Sequence, residues 1–124
     1  PRRVVGDLDT IMAGLSCGEP SPIAWEILHD FTDGYIVCPD YVAARGMRIL
    51  ANPLGGDPRV IAGESGAVGI GLLSLLLQST DCAKLRSQLG LDKNSNILFF
   101  NTEGDTDPVN YRQIVWDGKY PLPE

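Results

Sequence analysis

Apolar positions along the chain switch between helical and strand-like spacing, and the switches predict its elements. Ile23, Trp25, Ile27 and Leu28 repeat at helical intervals behind the turn Gly18-Glu19-Pro20-Ser21-Pro22. They predict a helix from about Pro22 to Phe31 with proline in its first turn. Gly34-Tyr35-Ile36-Val37-Cys38 is apolar, largely β-branched or aromatic, and stops at Pro39-Asp40, so it predicts a short buried strand running into a helix. Val42, Ala43, Gly46, Met47, Ile49 and Leu50 form that helix's inner face, and Asn52-Pro53-Leu54-Gly55-Gly56-Asp57-Pro58 ends it. A further apolar segment, Arg59-Val60-Ile61-Ala62, meets Gly63-Glu64-Ser65-Gly66. Ala67 to Leu77 follows and is apolar on every side, the pattern of a buried central helix. Thr80-Asp81 caps a short amphipathic helix with Leu85 and Leu89, closed by Gly90. Asn96-Ile97-Leu98-Phe99-Phe100 is the clearest strand, and Pro108 starts a last helix whose Tyr111, Ile114 and Val115 face inward. The order helix, strand, helix, helix, strand, helix predicts an α/β fold, a partial parallel sheet wrapped by helices. No internal repeat or low-complexity tract interrupts it.

Composition adds exclusions. With 124 residues, 44% hydrophobic and 21% charged, the chain suits one packed domain and lies far from the disordered regime. The net charge is −6 and the ten Lys and Arg are scattered, so no cationic stripe awaits a phosphate backbone and nucleic acid is not expected as a partner. The longest apolar run is too short to span a bilayer and no signal-type stretch opens the chain, so no membrane partner and a cytoplasmic location are expected. The chain begins without an initiator Met or a recognisable first element, which points to a truncated N-terminus.

Cys17, Cys38 and Cys82 match no metal-binding spacing, and an odd count argues against a disulfide framework; they read as buried or semi-buried thiols, with a Cys17–Cys38 bridge left open. The single His29 reads as packing on a helix surface, with neither a metal nor a catalytic role. No Ser-His-Asp or Cys-His arrangement, no Gly-x-Gly-x-x-Gly and no phosphate-loop sequence is present.

In open α/β sheets ligands bind beyond the carboxyl ends of the strands, so the polar residues there carry the chemistry. Gly63-Glu64-Ser65-Gly66-Ala67 approaches a helix whose first amides and positive dipole end suit an anionic group. Thr102-Glu103-Gly104-Asp105-Thr106-Asp107 sets a hydroxyl, carboxylates and a glycine at the tip of the best strand. Each segment also reads as an ordinary helix cap, with proline following at position 108.

Four segments together carry a resemblance. Ala13-Gly14-Leu15-Ser16-Cys17-Gly18-Glu19-Pro20, Ala43-Ala44-Arg45-Gly46-Met47-Arg48, Gly63-Glu64-Ser65-Gly66-Ala67-Val68-Gly69, and Ser95 through Trp116 resemble, in order and spacing, the C-terminal third of the diaminopropionate ammonia-lyase family. That family is a fold-type-II, tryptophan synthase β-like group of pyridoxal phosphate (PLP) enzymes, with the threonine and serine dehydratases as relatives. The resemblance implies elimination of ammonia from the amino-acid substrate 2,3-diaminopropionate, hydrolysis of the product to pyruvate and a second ammonia, and a homodimer. In the dehydratases a Ser hydroxyl at the corresponding strand end bonds the pyridine nitrogen, which implies that Thr102 faces the PLP ring nitrogen here and leaves it unprotonated. Gly63, Glu64 and Ser65 would line the ring and Gly14 its other side. Glu103 and Asp105 depart from the dehydratase Gly and Asn and are candidates for recognising the second amino group.

The resemblance also implies what is missing. A Lys forming the Schiff base and a glycine-rich phosphate cup lie in the family's N-terminal portion. Lys84, Lys93 and Lys119 occupy a surface helix, a turn and the tail, unsuited to that role. Residues 1–124 then read as one segment of the large PLP-binding domain, inactive and without bound PLP on its own, with an incompletely covered sheet and a self-associating apolar face. The alternatives are a stand-alone interaction protein derived from such an enzyme, which would pair through its exposed edge, and another fold-type-II dehydratase or lyase.

Overall fold

The structure is a computed structural model and describes residues 2–123. Five helices carry it: α1 (Pro22–Phe31), α2 (Asp40–Ala51), α3 (Glu64–Gln78), α4 (Ala83–Gln88) and α5 (Pro108–Val115), preceded by a 3-10 turn at Ala13–Leu15. The helices form close to where the pattern predicts them, except that α4 starts at Ala83 behind Cys82 with no side-chain cap, so Thr80 and Asp81 do not cap it. Ser21 caps α1, its hydroxyl accepting from Ala24 N–H at 3.3 Å, and Asp107 caps α5 by accepting from Asn110 N–H at 3.1 Å. Pro22 and Pro108 take the first helical positions, where a missing N–H costs nothing. Gly90 ends α4 with φ +65°; its N–H reaches Ser87 O at 3.1 Å and Leu91 N–H reaches Arg86 O at 3.1 Å. That paired return satisfies carbonyls the helix would otherwise leave bare.

The predicted parallel sheet is not there. Among the described residues no β-strand forms, and the architecture is helical. Both strand-like segments are in place but have no neighbouring strand, and a strand is held by the ladder to its neighbour. The segments expected to be buried are accordingly open to solvent: Val37 is 96% exposed, Leu98 76% and Phe100 78%. One short approach between extended segments survives, where Gly63 N–H donates to Glu103 O at 2.8 Å and the Asn101 side-chain amide donates to Ile61 O at 3.0 Å.

The core lies where α2 crosses α3 and α5 covers α2. Ala44, Met47, Ala51, Ala62, Ala67, Tyr111 and Ile114 form it. Small residues set the crossing distance: a β-carbon on Gly46 or on Gly71 would collide with the backbone of the facing helix. The helix read as buried on all sides is less so than expected; Ala67, Gly71 and Leu76 are buried with Glu64, while Leu77 is exposed.

Two arginines satisfy carbonyls at helix ends. Arg86 Nη1 donates to Leu76 O at 2.8 Å near the end of α3. Arg48 reaches Ile114 O, Lys119 O and Tyr120 O, each at 3.1 Å, and so ties the C-terminal tail to α2.

Helix α1 packs on no other element. Ile23 and Phe31 stand 77% and 82% exposed. The chain presents 9161 Å² of accessible surface, where a folded monomer of 13.4 kDa presents about 6,500 Å². Exposed apolar residues of α1 and of the two strand-like segments contribute to the excess, together with Val5, Leu54, Val109 and Trp116. No helix is long and apolar enough to cross a membrane among the described residues.

Candidate functional site

The first turn of α3 organises the polar residues. A helix start leaves N–H groups without intrahelical acceptors and a positive dipole end, so it draws an anion. Gly63 carries no side chain that could cap the helix. The cap comes from 38 residues away: Glu103 Oε2 accepts from Ser65 N–H at 2.6 Å and, at the long distance of 3.4 Å, from Gly66 N–H. The main chain of Glu103 joins the same arrangement, its carbonyl accepting from Gly63 N–H at 2.8 Å and its N–H donating to Asn101 Oδ1 at 3.3 Å.

The glycines let this happen. A β-carbon at Gly63 would lie 2.5 Å from Gly104 O and 2.6 Å from Glu103 Cγ, and one at Gly66 would strike Asn101 Oδ1 and come 3.3 Å from Glu103 N. The loop after the second strand-like segment therefore lies directly on the start of α3. On the other side, Gly14 N–H donates to Ser65 Oγ at 3.0 Å, so the 3-10 turn closes on the same residue. Asp40 Oδ1 pins the strand of chain before that turn, accepting from Thr10 Oγ1 at 2.6 Å and Ile11 N–H at 3.3 Å.

Of the residues singled out in the sequence, Gly14, Gly63, Ser65 and Glu103 are thus joined in one hydrogen-bonded cluster. Thr102 precedes Glu103 directly and is exposed beside it. Asp105 is also exposed, further along the loop. Glu64 points elsewhere: it is buried at 8% exposure, and its Oε1 accepts a hydrogen bond from Asn110 Nδ2 of α5. Lys119 Nζ completes that side by donating to Asn110 Oδ1 at 3.2 Å and Gln113 Oε1 at 3.0 Å. Asn101, Asn110 and Arg48 were not among the sequence candidates; an isolated Asn or Arg carries no spacing signal, because its partners are main-chain groups or residues remote in sequence.

Neither the thiols nor the histidine hydrogen-bonds the cluster among the described residues, although Cys17 follows Gly14 by three residues and is exposed. Cys17, Cys38 and Cys82 are free, and burial pushes the Cys38 thiol above its ordinary value. His29 Nδ1 meets Asp30 Oδ1 at 2.7 Å on the exposed face of α1. No group of His, Cys, Asp and Glu able to hold a metal occurs among the described residues.

No protein-family model matches the chain. Curated relatives do. It is 52% identical over 118 residues to the diaminopropionate ammonia-lyase of Escherichia coli strain K12, a match covering 95% of this chain and 30% of that enzyme. It is 48% identical over 120 residues to the diaminopropionate ammonia-lyase of Salmonella typhimurium, covering 96% of this chain and 30% of the relative. Among solved structures, the E. coli enzyme in complex with an aminoacrylate–PLP azomethine reaction intermediate superposes with a TM-score of 0.86 at 52% identity over 90% of this chain and 29% of the other. The same enzyme in complex with D-serine gives a TM-score of 0.85 at 50% identity, over 90% of this chain and 28% of the other. The chain thus spans about 30% of the length of the curated relatives it matches.

Proposed function

We propose that this chain, homologous to diaminopropionate ammonia-lyase over 95% of its length, forms the part of a PLP-dependent lyase that faces the pyridine ring, and that it does not turn over substrate by itself. The observation that carries the reading is the likeness in sequence and shape to an enzyme solved with a PLP intermediate. The reaction is conversion of 2,3-diaminopropionate and water to pyruvate and two molecules of ammonia.

The residues present fit one end of that cofactor. Thr102 is exposed on the loop that Gly63 lets close onto the start of α3, where a side chain would meet Gly104 and Glu103. They do not fit its phosphate end. No Lys or Arg joins the Gly14, Ser65 and Glu103 cluster, and the Ser65 N–H, the best-placed amide of α3, is already given to Glu103. PLP, when bound, supplies the electron sink for the elimination. Thr102 would hold the ring nitrogen through its hydroxyl, which is neutral and so would deliver no positive charge there. Gly14 and Ser65 shape one wall, and Asp105 stands free on the loop to meet the substrate's second amino group.

The unmatched apolar surface supports the same reading. Surface well beyond that of a finished monomer, including exposed apolar residues on α1 and around Val37 and Phe100, suits contact with further protein. Pairing of two such lyase chains would cover part of it, and sizing of the complete assembly tests that dimer.

The test is pyruvate release from diaminopropionate with added PLP, measured side by side for this chain and for a chimera in which it replaces the matched segment of the E. coli enzyme. The expected outcome is turnover by the chimera and none by the chain alone. Turnover by the isolated chain, or a folded chimera that binds PLP and releases no pyruvate, contradicts the proposal.

A further inference from the structure

Glu103 stands out because one of its carboxylate oxygens and both of its main-chain polar groups are engaged within the chain. One carboxylate oxygen takes the Ser65 N–H at 2.6 Å, the carbonyl takes the Gly63 N–H at 2.8 Å, and the backbone N–H is held by Asn101 at 3.3 Å. Asn101 itself is anchored to Ile61 O at 3.0 Å. Thr102, Gly104 and Asp105 are exposed, and the loop is held beside them by Asn101, which is bound to Ile61, and by the half-buried Glu103. Of the two residues flanking Thr102, Glu103 is the one that hydrogen-bonds the first turn of α3, so the place of Thr102 relative to that helix depends on it.

We infer that Glu103 is a positioning residue: by capping α3 it fixes the loop that presents the Thr102 hydroxyl. This rests on the functional reading above. The physical reason is tolerance. A hydroxyl hydrogen bond is made within a few tenths of an ångström of its best length and weakens steeply off axis, and a loop without packing wanders further than that unless neighbouring contacts fix it. A carboxylate on helix amides is a strong hold, because the acceptor is charged and the dipole end is positive. The same contact explains why a carboxylate is needed where the dehydratases, by resemblance, carry glycine: Gly63 leaves α3 without a cap of its own.

Two substitutions separate positioning from substrate recognition. In E103Q the amide oxygen still accepts from Ser65 N–H, but the charge that would attract an ammonium group is gone. E103A removes the cap altogether. Native-state hydrogen exchange in this chain is the first readout and needs no cofactor: exchange at Ser65 and Gly66 is expected to speed up tenfold or more in E103A, with E103Q restoring most of the protection. In the chimera, E103A is expected to shift the visible absorption of bound PLP and lower kcat about tenfold while KM for diaminopropionate moves less than threefold, and E103Q is expected to recover most of the kcat.

An E103A chimera with faster exchange but unchanged spectrum and kcat overturns the inference and leaves Glu103 a helix cap only. A tenfold or greater rise in KM in both variants, with protected amides in E103Q, overturns it in favour of substrate contact. An unsubstituted chimera that binds no PLP overturns the functional reading and the cofactor role of Glu103 with it, whatever the exchange data show for the cap.

Discussion

Gly46 and Gly71 face each other across the crossing of α2 and α3 so closely that a β-carbon on either would lie 2.9 Å from the backbone nitrogen of the other. That pair sets how the two largest helices meet, and with them the start of α3 on which the polar cluster is built.

Substituting either glycine tests the crossing. Alanine is the better helix former by about 1 kcal/mol, so an open helical site would gain stability. Here the added carbon meets backbone that cannot rotate away, and overpacking of this kind costs about 3 kcal/mol or more. G46A and G71A are expected to lower the urea midpoint clearly. G34A, where an added β-carbon meets nothing within 4 Å, is the control and is expected to leave it unchanged. Equal midpoints for all three would mean that the helices do not cross as described.

Much of this helical frame is legible in the sequence, because helix signals are local. Pro22 and Pro108 mark starts, Gly90 marks an end, and the apolar spacing marks faces. The sheet is where the reading goes astray. Tyr35 to Cys38 and Ile97 to Phe100 have strand composition, but composition says nothing about whether a neighbour exists to pair with. The same limit applies to the site. Gly63 and Ser65 were legible as a helix start seeking an anion; that the anion is Glu103 was not, since 38 residues separate the partners.

Arg48 gives a test of the C-terminal tail. Its guanidinium, held below its usual value by burial first and by Arg45 second, stays charged at neutral pH and serves three carbonyls. Lysine keeps the charge but cannot span all three. R48K and R48A are expected to destabilise by about 1 and 2 kcal/mol, the range for hydrogen bonds to a charged group discounted for partial exposure. Proteolysis near Lys119 is expected to accelerate in the same order, and a tail equally protected in R48A would remove Arg48 from this role.

Cys38 supplies a pH dependence. Burial disfavours its thiolate, so the folded value lies above the ordinary 9.0. The unfolded chain then releases this proton at lower pH than the fold does. The stability contribution is full below the ordinary thiol value and declines as pH rises through the window between the ordinary and the raised value. Alkylation of Cys38 by iodoacetamide is expected to reach half its maximal rate above pH 9.0 in the folded chain, and C38A is expected to flatten the alkaline fall in stability. Half-maximal alkylation below that pH in the folded protein would contradict the burial described.

The most direct measurement is the visible absorption of PLP bound to the chimera, recorded before and after Thr102→Val, which removes the hydroxyl at nearly constant volume. If Thr102 holds the ring nitrogen, the band shifts and pyruvate release falls tenfold or more. A spectrum and a rate identical to those of the unsubstituted chimera would contradict the assignment of this chain to the face of the pyridine ring.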